Sequence, residues 1–321
     1  MPTTKQTLTI DAVAIGRNEG ERLLACLASL SGQVRHIVYV DSGSDDGSIE
    51  AARAAGARVI SLDLNAPFTA ARARNAGLAA LADDPPDYVQ FIDGDCALRD
   101  GWIVRARQFL HDNLGAAVVC GRRRERFPEA SVYNRMIDAE WDTPIGEAKS
   151  CGGDALMRYQ AVISVKGYRE DLIAGEEPEL CLRLRGRGWT IWRIDAEMTW
   201  HDAQLLRFGQ WWKRGERAGH AFAEGAARFS TEQSPHWTRE VRRIWVWGPA
   251  IPLVALIGSL IHPAILLLVL IYPLQVARLS RSMGWRAAFF NTLGKFPEAV
   301  GAIRFYARRL GQGQTRLIEY K

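Results

Sequence analysis

At 321 residues, with 24% charged and 48% hydrophobic side chains, the chain exceeds one ordinary domain and is too apolar for wholesale disorder, so a catalytic-sized domain with an appendage is expected. The net charge of +5 is concentrated late: Arg278, Arg281, Arg286, Lys295, Arg304, Arg308, Arg309, Arg316 and Lys321 face only Glu298 and Glu319, a tail suited to an anionic surface. The five cysteines (Cys26, Cys96, Cys120, Cys151, Cys181) are scattered without a C-x-x-C pair, which indicates neither a zinc site nor a disulfide framework and favours a reduced, cytosolic setting. The opening "MPTTKQTLTIDA" has no apolar run of a secretory signal.

In chain order, "TLTIDAVAI" reads as a buried strand, and Leu23, Leu24, Leu27 and Leu30 recur at helical spacing. A strand "HIVYV", an Ala-rich helix "DDGSIEAARAAGA", a strand "ARVISL", a helix "TAARARNAGLAALA" and a strand "DYVQFI" follow. Strand and helix in alternation with short connections predict an α/β fold with a mostly parallel, doubly wound sheet. In such a sheet ligands bind beyond the carboxyl ends of the strands. Three of those ends carry polar groups, in "GRNEGE", "DSGSDDGS" and "DGDC".

Neither G-x-G-x-x-G nor G-x-x-x-x-G-K-[ST] occurs there, so the ordinary dinucleotide and P-loop readings lose their support. A helix cap and turn would account for "DSGSDDG", and an Asp-Gly turn for "DGDC", but a turn needs only one aspartate. Paired carboxylates bind hard divalent cations, and such a cation neutralises the charge that builds on a departing diphosphate.

Asn18 and Glu19 after the first strand, "DSGSDDGS" from Asp41, Arg74, Asn75 and Gly77 in "ARARNAG", and Asp93 and Asp95 as a D-x-D stand in the order found in family 2 glycosyltransferases of the GT-A fold. The chain resembles that family from about residue 8 to about residue 220. The resemblance implies a nucleotide-sugar pocket of Arg17, Glu19, Asp41, Ser44, Arg72, Asn75, Asp93 and Gly94, with Asp41 on the base and Asp93 near the ribose. It gives Asp95 the metal, Mg²⁺ or Mn²⁺. Arg17 stands where the family often has an aromatic ring against the base.

In "AGEEPELCLRLRGRGW", Pro178 suits the first position of a helix, which places Glu177 at the helix mouth. Glu176, Glu177 and Glu179 either complement the helix dipole or, crowded together, hold a proton readily enough to serve as a general base. In the resembling family an acid just before this helix takes the acceptor proton; by position that is Glu177, with Glu176 as the competing choice. His201 in "MTWHDAQ" is a weak metal candidate alone, and the resemblance makes it the partner of Asp95. Gln210 is followed by "WWKR", so the Q-x-x-R-W pattern of processive relatives is not matched. "FGQWWKRGERAGHAF" reads as an interfacial helix lying against lipid.

From 244 to 277 no Asp, Glu, Lys or Arg occurs. A straight helix of that length reaches about 50 Å, well past a hydrocarbon core of roughly 30 Å, yet two full spans with a loop need about 40 residues. With Pro263 near the middle, a short helical hairpin, spanning or re-entrant, fits best. Trp245, Trp247 and Tyr272 lie near its ends, and Arg239, Arg242, Arg243, Arg278 and Arg281 put both flanks on the cytoplasmic side. The segment at about 285–310 mixes Phe289, Phe290, Phe296 and Phe305 with Arg and Lys, as a helix on anionic lipid would. No nucleic-acid module accompanies the charge.

The organisation expected is a GT-A catalytic domain over 1–225 and a membrane-associated region over 226–321. The activity implied by the resemblance is inverting transfer of a sugar from a nucleotide diphosphate sugar, a UDP-sugar by expectation, to a hydroxyl of a lipid or lipid-linked glycan at the cytoplasmic face of the inner membrane, as in polysaccharide biosynthesis. A sugar-1-phosphate nucleotidyltransferase would show a basic Gly-rich loop after the first strand, where "GRNEGE" stands; an inactive membrane scaffold would not need acids at every expected position.

Overall fold

Among the residues described by a computed structural model, 8–231 and 234–311, nine strands form one mixed sheet. They are β1 (Ile10–Gly16), β2 (Ile37–Asp41), β3 (Arg58–Ser61), β4 (Tyr88–Asp93), β5 (Cys96–Leu98), β6 (Ala116–Glu125), β7 (Gly146–Ala148), β8 (Ala155–Arg158) and β9 (Thr190–His201). Their order is β3-β2-β1-β4-β8-β6-β9-β5, with β7 on β9. The first four strands are parallel, as the alternation of strand and helix predicts, and β8 then runs antiparallel to both β4 and β6. β6 and β9 pair in parallel, and β5 runs antiparallel along the end of β9.

β1, β2 and β4 are buried on both faces, which is why their sequences are nearly unbroken apolar runs. The helix Glu21–Leu30 covers the sheet with Leu23, Cys26, Leu27 and Leu30. The helix Ala70–Ala80 starts at Thr69, whose side chain accepts from the Arg72 N–H. Gly77 brings that helix onto β1: a Cβ there would lie 2.3 Å from Val13 Cγ1. Register sets the next level, since Gly16 pairs with Asp41 and Ile15 with Asp93, so the polar strand ends lie in one row.

The chain divides into two compact units. The first holds the described residues through Ala130, Ile137–Leu172 and Glu176–Gln204; the second holds Ser131–Met136, Ile173–Gly175 and the described residues from Leu205 onward. The division after Gln204 falls earlier than the expected boundary at 225, because the helix Phe208–Phe229 runs unbroken through that position. In the second unit this helix packs against the helix Lys295–Leu310 at backbone contact. A Cβ on Gly219 would lie 1.9 Å from the Glu298 carbonyl oxygen, and one on Gly301 would lie 1.9 Å from that of Glu216. Ala223, Ile244, Ala299, Ala302 and Phe305 form the core around this contact.

Two expectations of lipid-facing helices are corrected here. Trp211 is buried, with its ring 6.2 Å from Tyr133 and 5.2 Å from Phe290, and Trp212 Nε1 donates to Glu216. The apolar face of Lys295–Leu310 likewise serves the protein core. The same amphipathic periodicity suits lipid or a partner helix, and here glycines supply the partner. Arg316 and Lys321 of the basic tail lie outside the described residues.

The hairpin forms. The helix Thr238–Trp245 passes through a π-helical turn, Val246–Ala250, into the helix Ile251–Ser259. Pro249, which has no N–H to offer, sits in the loosened turn. The chain reverses at 260–262 and returns through a 3₁₀ stretch, Pro263–Leu270, and the helix Ile271–Met283. Tyr272 closes the neck: its hydroxyl donates to the Trp247 carbonyl at 2.7 Å, and its ring lies 5.7 Å from Phe296.

Candidate active site

The row of strand ends begins with Asp41, which is fully buried. Its Oδ2 accepts from the backbone N–H groups of Gly43 and Ser44, each at 2.8 Å, and its Oδ1 from the Tyr39 and Ser44 hydroxyls. This carboxylate therefore shapes the turn after β2, and the base contact the resemblance implies for it is one its present partners would have to share. The Ser44 hydroxyl also accepts from the Asn18 N–H, and Asn18 Oδ1 accepts from the Asp45 N–H. These bonds lock the β1 and β2 end loops together, with Asn18 at positive φ, a conformation asparagine tolerates. Glu19 pairs with Arg22 at 2.7 Å. Arg17 lies over the Phe68 ring at 4.8 Å, so an aromatic ring that the sequence placed nowhere near Arg17 stands beside it.

At the centre of the row is Arg74, 3% exposed, which reaches Asp93 with one nitrogen at 2.8 Å and Glu176 with another at 2.7 Å. Arg123 approaches Asp93 at 3.4 Å and Asp154 at 2.8 Å. Asp154 in turn accepts from the Asp93 N–H and the Thr199 hydroxyl. Burial alone would raise the Asp93 pKa, but the two guanidiniums outweigh it and hold the carboxyl below its ordinary range. Arg123 and Asp154 were missed by sequence reasoning, because only the pairing of β6, β8 and β9 brings them to the end of β4. Gly94 permits the tight crossing at Asp93, since a Cβ there would lie 3.1 Å from the Ile15 carbonyl oxygen.

Asp95 and His201 come together as expected, with Asp95 Oδ2 3.3 Å from His201 Nε2. β5 pairs Cys96 with His201, and β6 pairs Glu125 with His201. Glu125, buried and unforeseen, has Oε2 3.4 Å from His201 Nδ1 and also accepts the Ala203 N–H. Trp141 packs edge-on to the imidazole at 4.7 Å. Burial disfavours the charged ring, while Asp95 and Glu125 favour it and prevail, raising the His201 pKa. A carboxylate behind one ring nitrogen aims the other at a metal position, so the donor set fits a divalent cation held by Asp95 and His201. The one signal in the sequence was "RRRERF", an acid alone in a basic strand.

The three acids near 177 do not crowd. The helix starts at Glu176, so Pro178 occupies its third position rather than its first and Glu177 lies within the first turn. Glu176 turns to Arg74 and Glu179 to Arg183 at 2.6 Å. Glu177, 6% exposed, accepts on Oε1 from the Cys151 N–H at 2.7 Å and from the thiols of Cys151 and Cys181. Two further residues expected in the pocket serve as struts. Arg72 donates to the carbonyls of Asp63, Ala66 and Pro67, and Asn75 bonds both the N–H and the carbonyl of Tyr168.

Comparison with known proteins bears on the family and the fold. Residues 13–161 match the family model described as glycosyl transferase family 2. The chain is 23% identical over 215 residues to the glycosyltransferase AglE of Haloferax volcanii, a match covering 63% of this chain and 69% of that one. It is 37% identical over 250 residues to a TPR repeat-containing protein of Synechococcus elongatus, covering 67% of this chain and 58% of that relative's length. Among solved structures, a mannosyltransferase of Pyrobaculum calidifontis in complex with GDP-mannose and Mn²⁺ superposes with a TM-score of 0.65 at 17% identity, over 92% of this chain and 86% of that one.

Proposed function

Residues 13–161 make this chain a member of glycosyl transferase family 2, and from that premise we propose that it transfers a sugar from a nucleoside diphosphate sugar, a UDP-sugar in the first instance, to a hydroxyl of a lipid or lipid-linked glycan, with inversion. The observation that carries this reading is the convergence of Asp93, Asp95 and His201 at strand ends, with Glu125 behind the imidazole. Asp95 and His201 would hold Mg²⁺ or Mn²⁺, which supplies charge neutralisation for the leaving diphosphate. Asp93, fixed by Arg74, faces the ribose, while Arg17 and Phe68 offer a flat surface to the base. Glu177 is the general base: the bonds from Cys151 and Cys181 all fall on Oε1, which leaves Oε2 to take the acceptor proton. The acceptor oxygen then attacks the anomeric carbon opposite the diphosphate, the carbon–oxygen bond to the diphosphate breaks, and the configuration inverts.

The second unit supports a membrane site of action. Taken whole, Thr238–Ser259 and Pro263–Met283 are long and apolar enough to cross a bilayer. The outer end of the first belongs to the protein, however: Ile244 is buried, and Gly248 lies against the Lys295 carbonyl. What projects from 249 to 261 rises about 20 Å at 1.5 Å per residue, against roughly 30 Å of hydrocarbon. The hairpin therefore dips into one leaflet and returns, which keeps both basic flanks on the cytoplasmic face.

The test is to incubate detergent-solubilised protein with UDP- and GDP-sugars, Mn²⁺ and lipid extract, and to measure released nucleoside diphosphate. Release with at least one donor, dependent on Mn²⁺, is expected. Release of pyrophosphate from a nucleoside triphosphate and a sugar phosphate would favour a nucleotidyltransferase, and no turnover of any donor would favour a scaffold.

A further inference from the structure

Among the described residues, two groups of side chains converge closely enough to hold a metal ion, and only the first, Asp95, Cys96 and His201, belongs to the proposed donor site. The second is Cys151, Glu177 and Cys181. Cys151 is half-buried just before β8, while Glu177 and Cys181 lie one turn apart on the helix Glu176–Gly186. The two sulfurs are 3.8 Å apart, and Glu177 Oε1 is 3.1 Å from one and 3.2 Å from the other. A tetrahedral zinc ion with bonds of about 2.3 Å to sulfur holds its two sulfurs about 3.8 Å apart. The sulfurs therefore already stand at the spacing zinc imposes, and the carboxylate needs only to withdraw by a few tenths of an ångström.

We propose that Cys151, Cys181 and Glu177 form a binding site for Zn²⁺ or another thiophilic divalent ion, with a fourth position for water. The linear sequence conceals it because the two cysteines are brought together only by the fold. Burial pushes the Cys151 thiol pKa up. For Cys181 the bond from Cys151 lowers it, but burial and the Glu177 charge outweigh that. Zinc takes the thiolate form of each cysteine, so binding releases the thiol protons to solvent. The pair of soft sulfurs separates this site from the first, which sets one thiol, Cys96, beside the acid and imidazole that suit Mg²⁺ or Mn²⁺.

The consequence for activity rests on the role proposed above for Glu177. As a zinc ligand its carboxylate cannot take the acceptor proton, so zinc suppresses transfer without displacing the nucleotide.

The experiment uses the full chain in detergent, reduced with a phosphine rather than a thiol, titrated with Co²⁺ as a spectroscopic substitute. An intense near-ultraviolet sulfur-to-cobalt band at one equivalent is expected. The Cys151→Ser variant, at a half-exposed position, should lose the band, and Cys181→Ala should lose it as well. Cys96→Ser, beside Asp95, should keep it. Absence of the band in the wild type, or its survival in Cys151→Ser, overturns the site. Transfer assays separate the two readings: zinc inhibition relieved by Cys151→Ser supports both, whereas binding without inhibition keeps the site and removes Glu177 as the base.

Discussion

In the first unit the side chains that depart from the usual distribution are charged and buried: Asp41, Arg74, Glu125 and Asp154 are each at most 3% exposed. In the second unit they are apolar and exposed, with Leu260 and Ile261 each 85% exposed at the hairpin tip. Each buried charge has partners within the chain, as the cost of desolvation requires. The exposed residues of the hairpin, among them Leu253, Leu256, Ile257, Leu260, Ile261 and Leu267, are apolar, and exposed apolar residues in such number mark an interaction site. The contrast separates two uses of misplaced polarity. Buried charge fixes the geometry of the candidate site, and the use proposed for the exposed hydrocarbon is to select the phase in which that site works.

The strongest way to break the contrast is to remove the hub of the buried network. Arg74→Met leaves Asp93 and Glu176 without their shared cation, and breaking a buried pair from one side costs about 3–5 kcal/mol. Thermal or urea unfolding should show that loss; a shift within error would mean the network is ornamental.

The second unit has buried polar groups as well, Glu216, Glu224 and His220 among them, and His220 sharpens the comparison. It is fully buried in the second unit, neither ring nitrogen makes a hydrogen bond among the described residues, and Glu224 and Arg308 are its charged neighbours. Burial, with a smaller push from Arg308, lowers its pKa from 6.5 to about 4. Between those values the unfolded chain binds the extra proton, so stability falls as pH drops from about 6.5 to about 4, by at most about 3 kcal/mol. His220→Leu should flatten that part of the profile of unfolding temperature against pH; an unchanged slope would assign it to other groups.

Leu260→Asp tests the other half. One charge in an inserted segment costs about 3 kcal/mol, so co-flotation with anionic vesicles should weaken by roughly 10²-fold while the unfolding temperature in detergent holds. Equal vesicle binding would mean that the hairpin is not what enters the lipid. The smallest effect expected is at Glu125→Gln, where loss of the carboxylate behind His201 should weaken Mn²⁺ binding by about 10- to 100-fold.

Much of this was legible in the sequence, for reasons tied to particular residues. The parallel strands from Ile10 to Asp93 are continuous apolar runs, and their chemistry sits in the short loops that follow, so local pattern sufficed. The approach of Asp95 to His201 was expected only through a resemblance, since nothing local joins residues so far apart. Glu125 and Arg123 lie on a strand, and Asp154 just before one, whose partners are distant in sequence, and their placement follows only from register. Trp211 and the helix Lys295–Leu310 were misplaced onto lipid because amphipathic spacing does not say what covers the apolar face.

The most direct test is Mn²⁺ binding in the presence of UDP, followed by electron paramagnetic resonance, for the wild type and Asp95→Asn. The account predicts one nucleotide-dependent Mn²⁺ in the wild type, its loss in the variant, and a fall in transfer of about 10³-fold, several kcal/mol of charge stabilisation, with folding retained. Equal Mn²⁺ binding and equal turnover in the two proteins would contradict it.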